Sequence, residues 1–258
     1  MSSSPLLAVH DLTVLRPPPS STPILSSMSL TLSPGEILVV RGTSGSGKST
    51  LLKCISELNL YQSGRITLGD KTAKEMGVPR WRVLVSYVPQ RPSMLPGTPL
   101  DFLQTIRGFK ARTTTSKDKH KDNTHIIGEG EGEGGRGGMT PGPREPLDLA
   151  EDWGIEKVLW RREWSTLSGG EAQRIALAIA AGIGGAEVLL LDEPTSALDE
   201  ETMQKVEKSL MEMLPPLEGQ SSSDTSPRYG TGPKALIWIT HSPEQAERVG
   251  MRSIDLSR

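Results

Sequence analysis

One glycine-rich stretch, residues 42–50, constrains the fold more than any other part of the chain; it reads Gly-Thr-Ser-Gly-Ser-Gly-Lys-Ser-Thr. It fits the pattern G-x-x-x-x-G-K-[ST], in which a loop wraps the phosphates of a bound nucleotide. The apolar run at residues 37–40 has the character of a buried strand, and residues 51–55 continue with apolar residues at helical spacing. Strand, loop and helix therefore follow in the order that phosphate binding requires, which argues against a chance match.

The physical chemistry of this loop predicts what its residues do. The glycines permit positive φ angles and a close approach of the backbone, so successive N–H groups can point at one anion. The N-terminus of the following helix adds a partial positive charge. The pattern places Lys48 between the β- and γ-phosphates and makes the Ser49 hydroxyl a ligand of Mg²⁺. The residues expected to bind phosphate are Gly42, Thr43, Ser44, Gly45, Ser46, Gly47, Lys48, Ser49 and Thr50.

Length, charge and cysteine content restrict the class of protein. The 258 residues suffice for one sizeable α/β domain, or for a core with a small subdomain. Lys+Arg 29 against Asp+Glu 31 leaves a net charge of −2, which predicts no general affinity for nucleic acid or anionic membrane. The single cysteine, Cys54, excludes an internal disulfide, fits a reducing compartment and is expected to be a small apolar residue on the first helix.

The sequence predicts neither a signal peptide nor a membrane-spanning segment. Residues 1–5 lack the basic start and apolar stretch of a signal peptide. The most apolar region, residues 175–191, is interrupted by glycines and by Glu187, so it predicts a helix followed by a buried strand. We therefore expect a soluble protein whose role at a membrane would require a partner.

The remaining chain predicts strands, one amphipathic helix and two polar inserts. Strands are expected at residues 6–15, 28–32, 64–69, 83–88, 188–191 and 235–240. Residues 147–160 predict an amphipathic helix in which Trp153 and Trp160 pack. Residues 113–143 combine a lysine-rich run with a Gly-Glu repeat and are predicted to be a disordered linker; a basic arm for nucleic acid is disfavoured by the acidic repeat. Residues 218–233 predict a flexible surface loop.

Three further segments carry side chains suited to phosphate chemistry. The strand at 188–191 ends in Asp192 and Glu193, the first placed to hold Mg²⁺ and the second to polarise a water molecule. Ser168 precedes two glycines and an alanine-rich helix, so this segment is either an anion-binding helix start or an ordinary one. His241 directly follows the last predicted strand, where a functional role and a plain strand-end histidine are both open.

Taken together, these motifs resemble the ATPase subunit of ATP-binding cassette (ABC) transporters. The resemblance rests on the phosphate loop, Gln90, LSGGE at 167–171, LLLDEP at 189–194, residues 196–199 and His241, in matching order and spacing. It covers nearly the whole chain except the two inserts. It implies an α/β fold: a P-loop NTPase (RecA-like) core with an N-terminal antiparallel β part and an inserted α-helical subdomain at about 91–170, within a single domain at 6–258.

The resemblance also implies roles for individual residues. Gln90 would sense the metal and the attacking water, Asp192 would support Mg²⁺, and Glu193 would act as general base. His241 would contact the γ-phosphate. The expected catalytic residues are thus Glu193, His241 and Gln90, and the expected metal-site residues are Ser49, Gln90 and Asp192. Ser168, Gly169 and Gly170 would contact the γ-phosphate of ATP bound to the opposite subunit, and Asp199 would belong to the loop that crosses the dimer interface.

The implied partners follow from the same resemblance. Two chains would close head-to-tail around two ATP molecules with Mg²⁺, and their closure would drive a separate multispanning membrane subunit from the cytosolic face. Nucleic acid is not an expected partner. Residues 86–92 and 236–241 are similar to those of stand-alone ATPases of bacterial iron exporters and plant aluminium-tolerance transporters, which suggests metal-ion export. The alternative is a soluble cassette ATPase acting on ribosomes or DNA, which the single phosphate loop and lack of sustained heptads disfavour.

One departure from the family concerns the nucleotide base. The family stacks adenine on an aromatic residue after the first strand, but no aromatic residue precedes Tyr61 here. Leu15 or Arg16 falls near the expected place, and a guanidinium can stack on a base. We therefore expect weak base selectivity, with GTP hydrolysed nearly as well as ATP.

Overall fold

The computed structural model describes residues 4–18, 20, 22–92, 96–113, 144–217 and 232–257. Apart from their end residues, the predicted disordered insert at 113–143 and the predicted loop at 218–233 lie outside these ranges. The domain boundaries drawn from the sequence stay predictions.

Within the described residues a parallel sheet forms the centre of the fold. Its strands are β3 (Ile37–Arg41), β5 (Val85–Val88), β6 (Val188–Asp192), β7 (Ala235–Ile239) and β8 (Arg252–Asp255), in the order β5-β6-β7-β3-β8. Every pair in this sheet is parallel, with Val40 beside Ile239 and Ile239 beside Asp192. The strands therefore end at the same edge, and the loops that leave this edge carry the predicted site residues.

The N-terminal part forms a second sheet. Strands β1 (Leu7–Leu15), β2 (Pro23–Leu32) and β4 (Ser63–Leu68) pair antiparallel in the order β2-β1-β4. The predicted strands at 6–15 and 64–69 are confirmed, whereas the strand predicted at 28–32 begins earlier, at Pro23. The α/β class with an antiparallel N-terminal part is thus confirmed.

Helices cover the parallel sheet and connect its strands. They are α1 (Lys48–Ile55), α2 (Ala73–Met76), α3 (Val78–Leu84), α4 (Pro99–Arg107), α5 (Lys110–Thr113), α6 (Pro146–Asp152), α7 (Gly169–Gly182), α8 (Glu200–Glu212) and α9 (Pro243–Val249). Short 3-10 turns lie at Lys157–Arg161 and Trp164–Thr166. None of the helices in the described ranges is long and apolar enough to cross a lipid bilayer.

Two further predicted elements are wrong in extent. The strand predicted at 83–88 begins only at Val85, because α3 starts with a proline in its first turn and continues through Leu84. The single helix predicted at 147–160 ends at Asp152, since Gly154 has φ 78° and turns the chain into the 3-10 segment. The packing prediction for the two tryptophans is confirmed, because Trp153 and Trp160 are each 1% exposed.

The apolar core lies on both faces of the parallel sheet. Ile37 and Val39 of β3 pack with α4, α6, α7 and α8 on one side. Leu38 and Val40 face the antiparallel sheet and α1 on the other side, where Cys54 is fully buried as expected. Because alternate residues of β3 enter the two clusters, the strand that leads into the glycine-rich loop is fixed from both sides.

Candidate functional site

The glycine-rich loop joins the end of β3 to the start of α1 in a conformation that depends on its glycines. Gly42 has φ 145° and Gly47 has φ 101°. A Cβ atom on Gly42 would lie 2.6 Å from Ser46 Oγ, and one on Gly47 would lie 2.9 Å from Ile24 Cγ2. Both positions therefore exclude a side chain on conformational and on steric grounds.

Lys48 is held against this loop although it is a charged residue only 6% exposed. Its Nζ donates to the carbonyl oxygens of Gly42 at 2.8 Å and Thr43 at 2.9 Å. An ammonium group has three donors, so the lysine is positioned at the loop and retains capacity for a phosphate oxygen. Ser46 Oγ is buried and, among the described residues, has no hydrogen-bond partner. A loop with an inward lysine and an unsatisfied hydroxyl fits a phosphate group.

The end of β6 places Asp192 beside the start of α1. Asp192 is 5% exposed, and its Oδ1 accepts a hydrogen bond from Ser49 Oγ at 3.1 Å. Its Oδ2 accepts one from the hydroxyl of Tyr87 at 2.8 Å. Serine and carboxylate oxygens are hard ligands, and Mg²⁺ is commonly bound through one or two protein oxygens together with substrate phosphates and water. The pair Ser49 and Asp192 therefore fits Mg²⁺.

Tyr87 is a member of this site that the sequence analysis missed. Burial raises the pKa of its phenol, and the hydrogen bond to the Asp192 carboxylate and the charge of that carboxylate raise it further. The phenol therefore keeps its proton and remains a donor. The sequence feature that could have identified Tyr87 is its hydroxyl group within the apolar strand β5, shortly before Gln90.

The structure brings the three predicted catalytic residues together. Glu193 Oε2 accepts a hydrogen bond from Gln90 Nε2 at 2.6 Å, and Glu193 Oε1 lies 2.7 Å from His241 Nε2. The Glu193 side chain is 18% exposed, so its carboxylate is reachable from solvent but not freely hydrated. A carboxylate held between two side chains at the edge of the sheet can accept a proton from a positioned water molecule.

The backbone at Glu193 is in the left-handed region, with φ 49°. Such a conformation is costly for a residue with a long side chain and persists only where its surroundings hold it. The N–H of Glu193 donates to Ile239 O at 3.2 Å, and its carbonyl accepts from Gln173 Nε2 at 3.0 Å. The sequence analysis also missed Gln173. The feature that could have identified it is a polar glutamine within the alanine-rich helix α7.

Ser168 begins α7 through a capping box. Ser168 Oγ accepts from the N–H of Glu171 at 3.3 Å, and Glu171 Oε2 accepts from the N–H of Ser168 at 2.7 Å. Among the described residues, no hydrogen bond joins 168–170 to the loop at 42–50. Ser168 and Gly169 are exposed instead, and a Cβ atom on Gly169 would meet nothing within 4 Å. This helix start is open to an external group.

Asp199 and Arg16 are two further positions that the sequence analysis singled out. Asp199 accepts from the N–H of Thr202 at 3.0 Å and so caps α8. Arg16 is exposed at the end of β1, and its backbone N–H donates to Thr22 O at 2.9 Å. Its guanidinium is therefore available at the surface, and base stacking by Arg16 stays a prediction.

Sequence comparison relates the chain to one family. The profile of the family described as ABC transporter matches residues 25–196. The taurine import ATP-binding protein TauB of Pseudomonas fluorescens is 34% identical over 229 residues, which are 89% of this chain and 69% of that protein. The lactococcin-A transport/processing ATP-binding protein LcnC of Lactococcus lactis is 33% identical over 87% of this chain but only 26% of its own length.

Other relatives are longer than the region they share with this chain. The sulfate/thiosulfate import ATP-binding protein CysA of Brucella melitensis is 29% identical over 92% of this chain and 55% of its own length. The chain therefore spans about half of CysA and about a quarter of LcnC.

Structure comparison agrees on the fold. The ATP-binding cassette MJ0796, solved as a dimer in a post-hydrolysis state with ADP and Pi, superposes with a TM-score of 0.68 at 21% identity. The match covers 96% of this chain and 93% of that one, which confirms the P-loop ATPase fold. With the family profile covering most of the chain and the TauB relative matching nearly all of it, the chain belongs to the ABC transporter family, whose ATP-binding subunits are ATPases.

Proposed function

We propose that this chain hydrolyses ATP to ADP and phosphate, and that two copies closing around ATP drive a separate membrane-spanning subunit. The observation that carries the proposal is the Glu193 carboxylate, held by Gln90 and His241 within the same edge of the sheet as Asp192 and Ser49. Binding groups for phosphate and metal, and a base for water, are thereby collected at the ends of neighbouring strands.

The proposed reaction uses these residues in distinct ways. Water attacks the γ-phosphorus, the bond from that phosphorus to the β–γ bridging oxygen breaks, and Glu193 accepts the proton that the water loses. Lys48 supplies positive charge to the β- and γ-phosphates, and Gln90 and His241 keep the Glu193 carboxylate oriented. Mg²⁺ at Ser49 and Asp192 would neutralise charge that develops on the phosphate oxygens.

The proposed assembly has two parts. The exposed start of α7, with Ser168 and Gly169, would complete the ATP site of a second copy in a head-to-tail dimer. The relatives named as import and transport ATP-binding proteins support a motor role in transport for this chain. We place that motor beside a membrane-spanning subunit, at the cytosolic face of the membrane. The cargoes in the names of these relatives differ, being taurine, lactococcin-A and sulfate/thiosulfate. Metal-ion export is proposed from the similarity of residues 86–92 and 236–241 described above.

The ATPase proposal is tested by phosphate release from the purified chain and from Glu193→Gln. Loss of the base should lower the rate by about a hundredfold or more, while nucleotide binding persists. Glu247→Gln, the same change at an exposed position on α9, is the matched control and should retain the wild-type rate. A wild-type chain that releases no phosphate, alone or with its membrane partner, would refute the proposal.

The transport proposal is tested by co-purification of the tagged chain from its native cells after mild solubilisation. A stoichiometric multispanning membrane protein supports a transport role. Ribosomes or DNA in its place would favour the soluble cassette ATPase.

A further inference from the structure

Gln173 stands out because it is a buried polar residue on the helix that follows LSGGE. It lies in the second turn of α7 and is 3% exposed. The same helix begins at the exposed Ser168 and Gly169, which leave its start open to an external group. One helix therefore carries both an exposed start and a side chain directed into the site of its own subunit.

The side-chain amide of Gln173 contacts three backbone groups. Its Nε2 donates to Gln90 O at 3.1 Å and to Glu193 O at 3.0 Å. Its Oε1 accepts from the N–H of Ala197 at 3.1 Å. A primary amide has two N–H donors, so both are used, and in a buried position each loss would leave a polar group without a partner.

These three contacts all fall on segments that shape the site. Gln90 and Glu193 are joined to each other by their side chains, and Glu193 has the strained φ of 49°. Ala197 lies in the loop between Glu193 and α8, two residues before the helix cap at Asp199. A single amide thus fixes the backbone of the base, of its glutamine partner and of the loop that leads to α8.

Next to Gln173, Arg174 ties α7 to its own first turn and to the end of α6. Arg174 Nη1 donates to Trp153 O at 2.7 Å, and Arg174 Nε donates to Gly170 O at 3.2 Å. Trp153 is 1% exposed and belongs to the apolar cluster that includes α6 and α7. Movement at the start of α7 would therefore be passed to the three site segments rather than absorbed by the helix.

We propose that Gln173 is a positioning residue that couples the start of α7 to the Glu193 carboxylate and to the loop at Ala197. This inference rests on the proposed ATPase function. In the closed dimer, contact of ATP with Ser168 to Gly170 of one copy would set the orientation of the base in that same copy through Gln173. The two ATP sites would then be linked within each chain by one side chain.

Two variants separate the contacts of Gln173. Gln173→Met keeps the approximate shape and removes all three hydrogen bonds. Gln173→Glu keeps an acceptor for the N–H of Ala197 but places a carboxylate against the carbonyl oxygens of Gln90 and Glu193. Gln104→Met, at an exposed position on α4, is the matched control.

Kinetics provide the first readout. Both Gln173 variants should lower kcat about tenfold or more, because small displacements of a base are costly, while the Kd for ATP stays within about twofold of wild type. Gln104→Met should match wild type. A wild-type kcat in both variants would overturn the proposal. So would a loss of kcat matched by an equal loss of ATP affinity, since that result indicates general damage to the fold.

Hydrogen exchange provides a second readout that does not depend on activity. In the nucleotide-free wild type the Ala197 amide should exchange slowly; it should exchange quickly in Gln173→Met and remain protected in Gln173→Glu. Fast exchange of this amide in the wild type would overturn the proposal even if neither variant folds. A wild type that released no phosphate would refute the proposed ATPase function. The exchange rates of the Ala197 amide would still show whether Gln173 positions this loop.

Discussion

At the scale of single residues, the site depends on carboxylates whose orientation is fixed by neighbouring donors. Both oxygens of Glu193 are engaged, by Gln90 and by His241, and both oxygens of Asp192 are engaged, by Ser49 and by Tyr87. A carboxylate that is already oriented needs little reorganisation during reaction. The strained backbone of Glu193 is consistent with this, since it is kept only because surrounding bonds hold it.

Tyr87 should tune the metal site through Asp192. Tyr87→Phe removes one hydrogen bond from the carboxylate, worth about 1.5 kcal/mol, and should raise the Mg²⁺ concentration for half-maximal ATPase activity about tenfold. The measurement is a Mg²⁺ titration of activity and of nucleotide binding. Tyr61→Phe is the control, because the Tyr61 hydroxyl donates to Glu57. An unchanged Mg²⁺ requirement in Tyr87→Phe would show that its hydroxyl does not act through Asp192.

At the scale of elements, a buried polar network ties α8 and α9 to the segment after Glu193. Gln245 Nε2 donates to Thr195 Oγ1 at 2.8 Å and to Glu207 Oε1 at 2.6 Å. Arg248 donates from Nε to Glu207 Oε2 at 2.6 Å and from Nη2 to Glu207 Oε1 at 3.0 Å. The side chain of Glu207 is 1% exposed, so its charge depends on these partners. The network holds the helix after His241 against the helix capped by Asp199.

Removing Arg248 should therefore destabilise the fold. Arg248→Ala leaves the Glu207 carboxylate buried without its cation, and we expect a loss of about 3 kcal/mol in the free energy of unfolding. Urea denaturation monitored by circular dichroism measures this change in the free energy of unfolding. Lys205→Ala is the control, since its ion pair with Glu201 is exposed and is worth about 0.5 kcal/mol or less. Equal effects of the two substitutions would contradict the importance of the network.

The start of α7 should contribute a pH-dependent part of stability. Hydrogen bonds from the backbone N–H and side chain of Ser168 lower the pKa of Glu171 below its ordinary value of 4.5. Because folding lowers this pKa, the stabilisation is complete above the unfolded-state pKa and is lost as the pH falls through the folded-state pKa. Thermal unfolding between pH 7 and 3 should show a smaller acid loss in Glu171→Gln, which can accept the same hydrogen bond without titrating. An identical acid profile would contradict this assignment.

The sequence predicted those site residues that lie in local patterns and missed those that depend on tertiary contacts. The phosphate loop and the end of β6 were predicted as site residues from their own patterns, each directly after a recognisable strand. The role of His241 was predicted from the resemblance to the ABC family. Gln173 and Tyr87 were missed because their partners are distant in sequence and become neighbours only when α7 and β5 pack against the end of β6. The predicted start of the strand at 83–88 was wrong for a related reason. Apolar residues alone do not distinguish the last turn of α3 from the start of β5.

At the scale of the whole molecule, the proposed site is divided between an inner and an outer part. The parallel strands collect Lys48, Asp192, Glu193 and His241 at one edge of the sheet. The exposed start of α7 makes no hydrogen bond to the glycine-rich loop among the described residues and faces outward. A second copy would bring the outer part of one chain to the inner part of the other, so ATP should hold the dimer together.

The most direct test of this account is the mass of purified Glu193→Gln in solution, measured by size-exclusion chromatography with light scattering, with and without ATP and Mg²⁺. Loss of the base should trap bound ATP, so the account predicts a monomer without nucleotide and a dimer with ATP. Adding Lys48→Ala to this variant removes the phosphate-binding lysine and should abolish the shift. A chain that binds ATP with Mg²⁺ yet stays monomeric would contradict the ATP-held dimer.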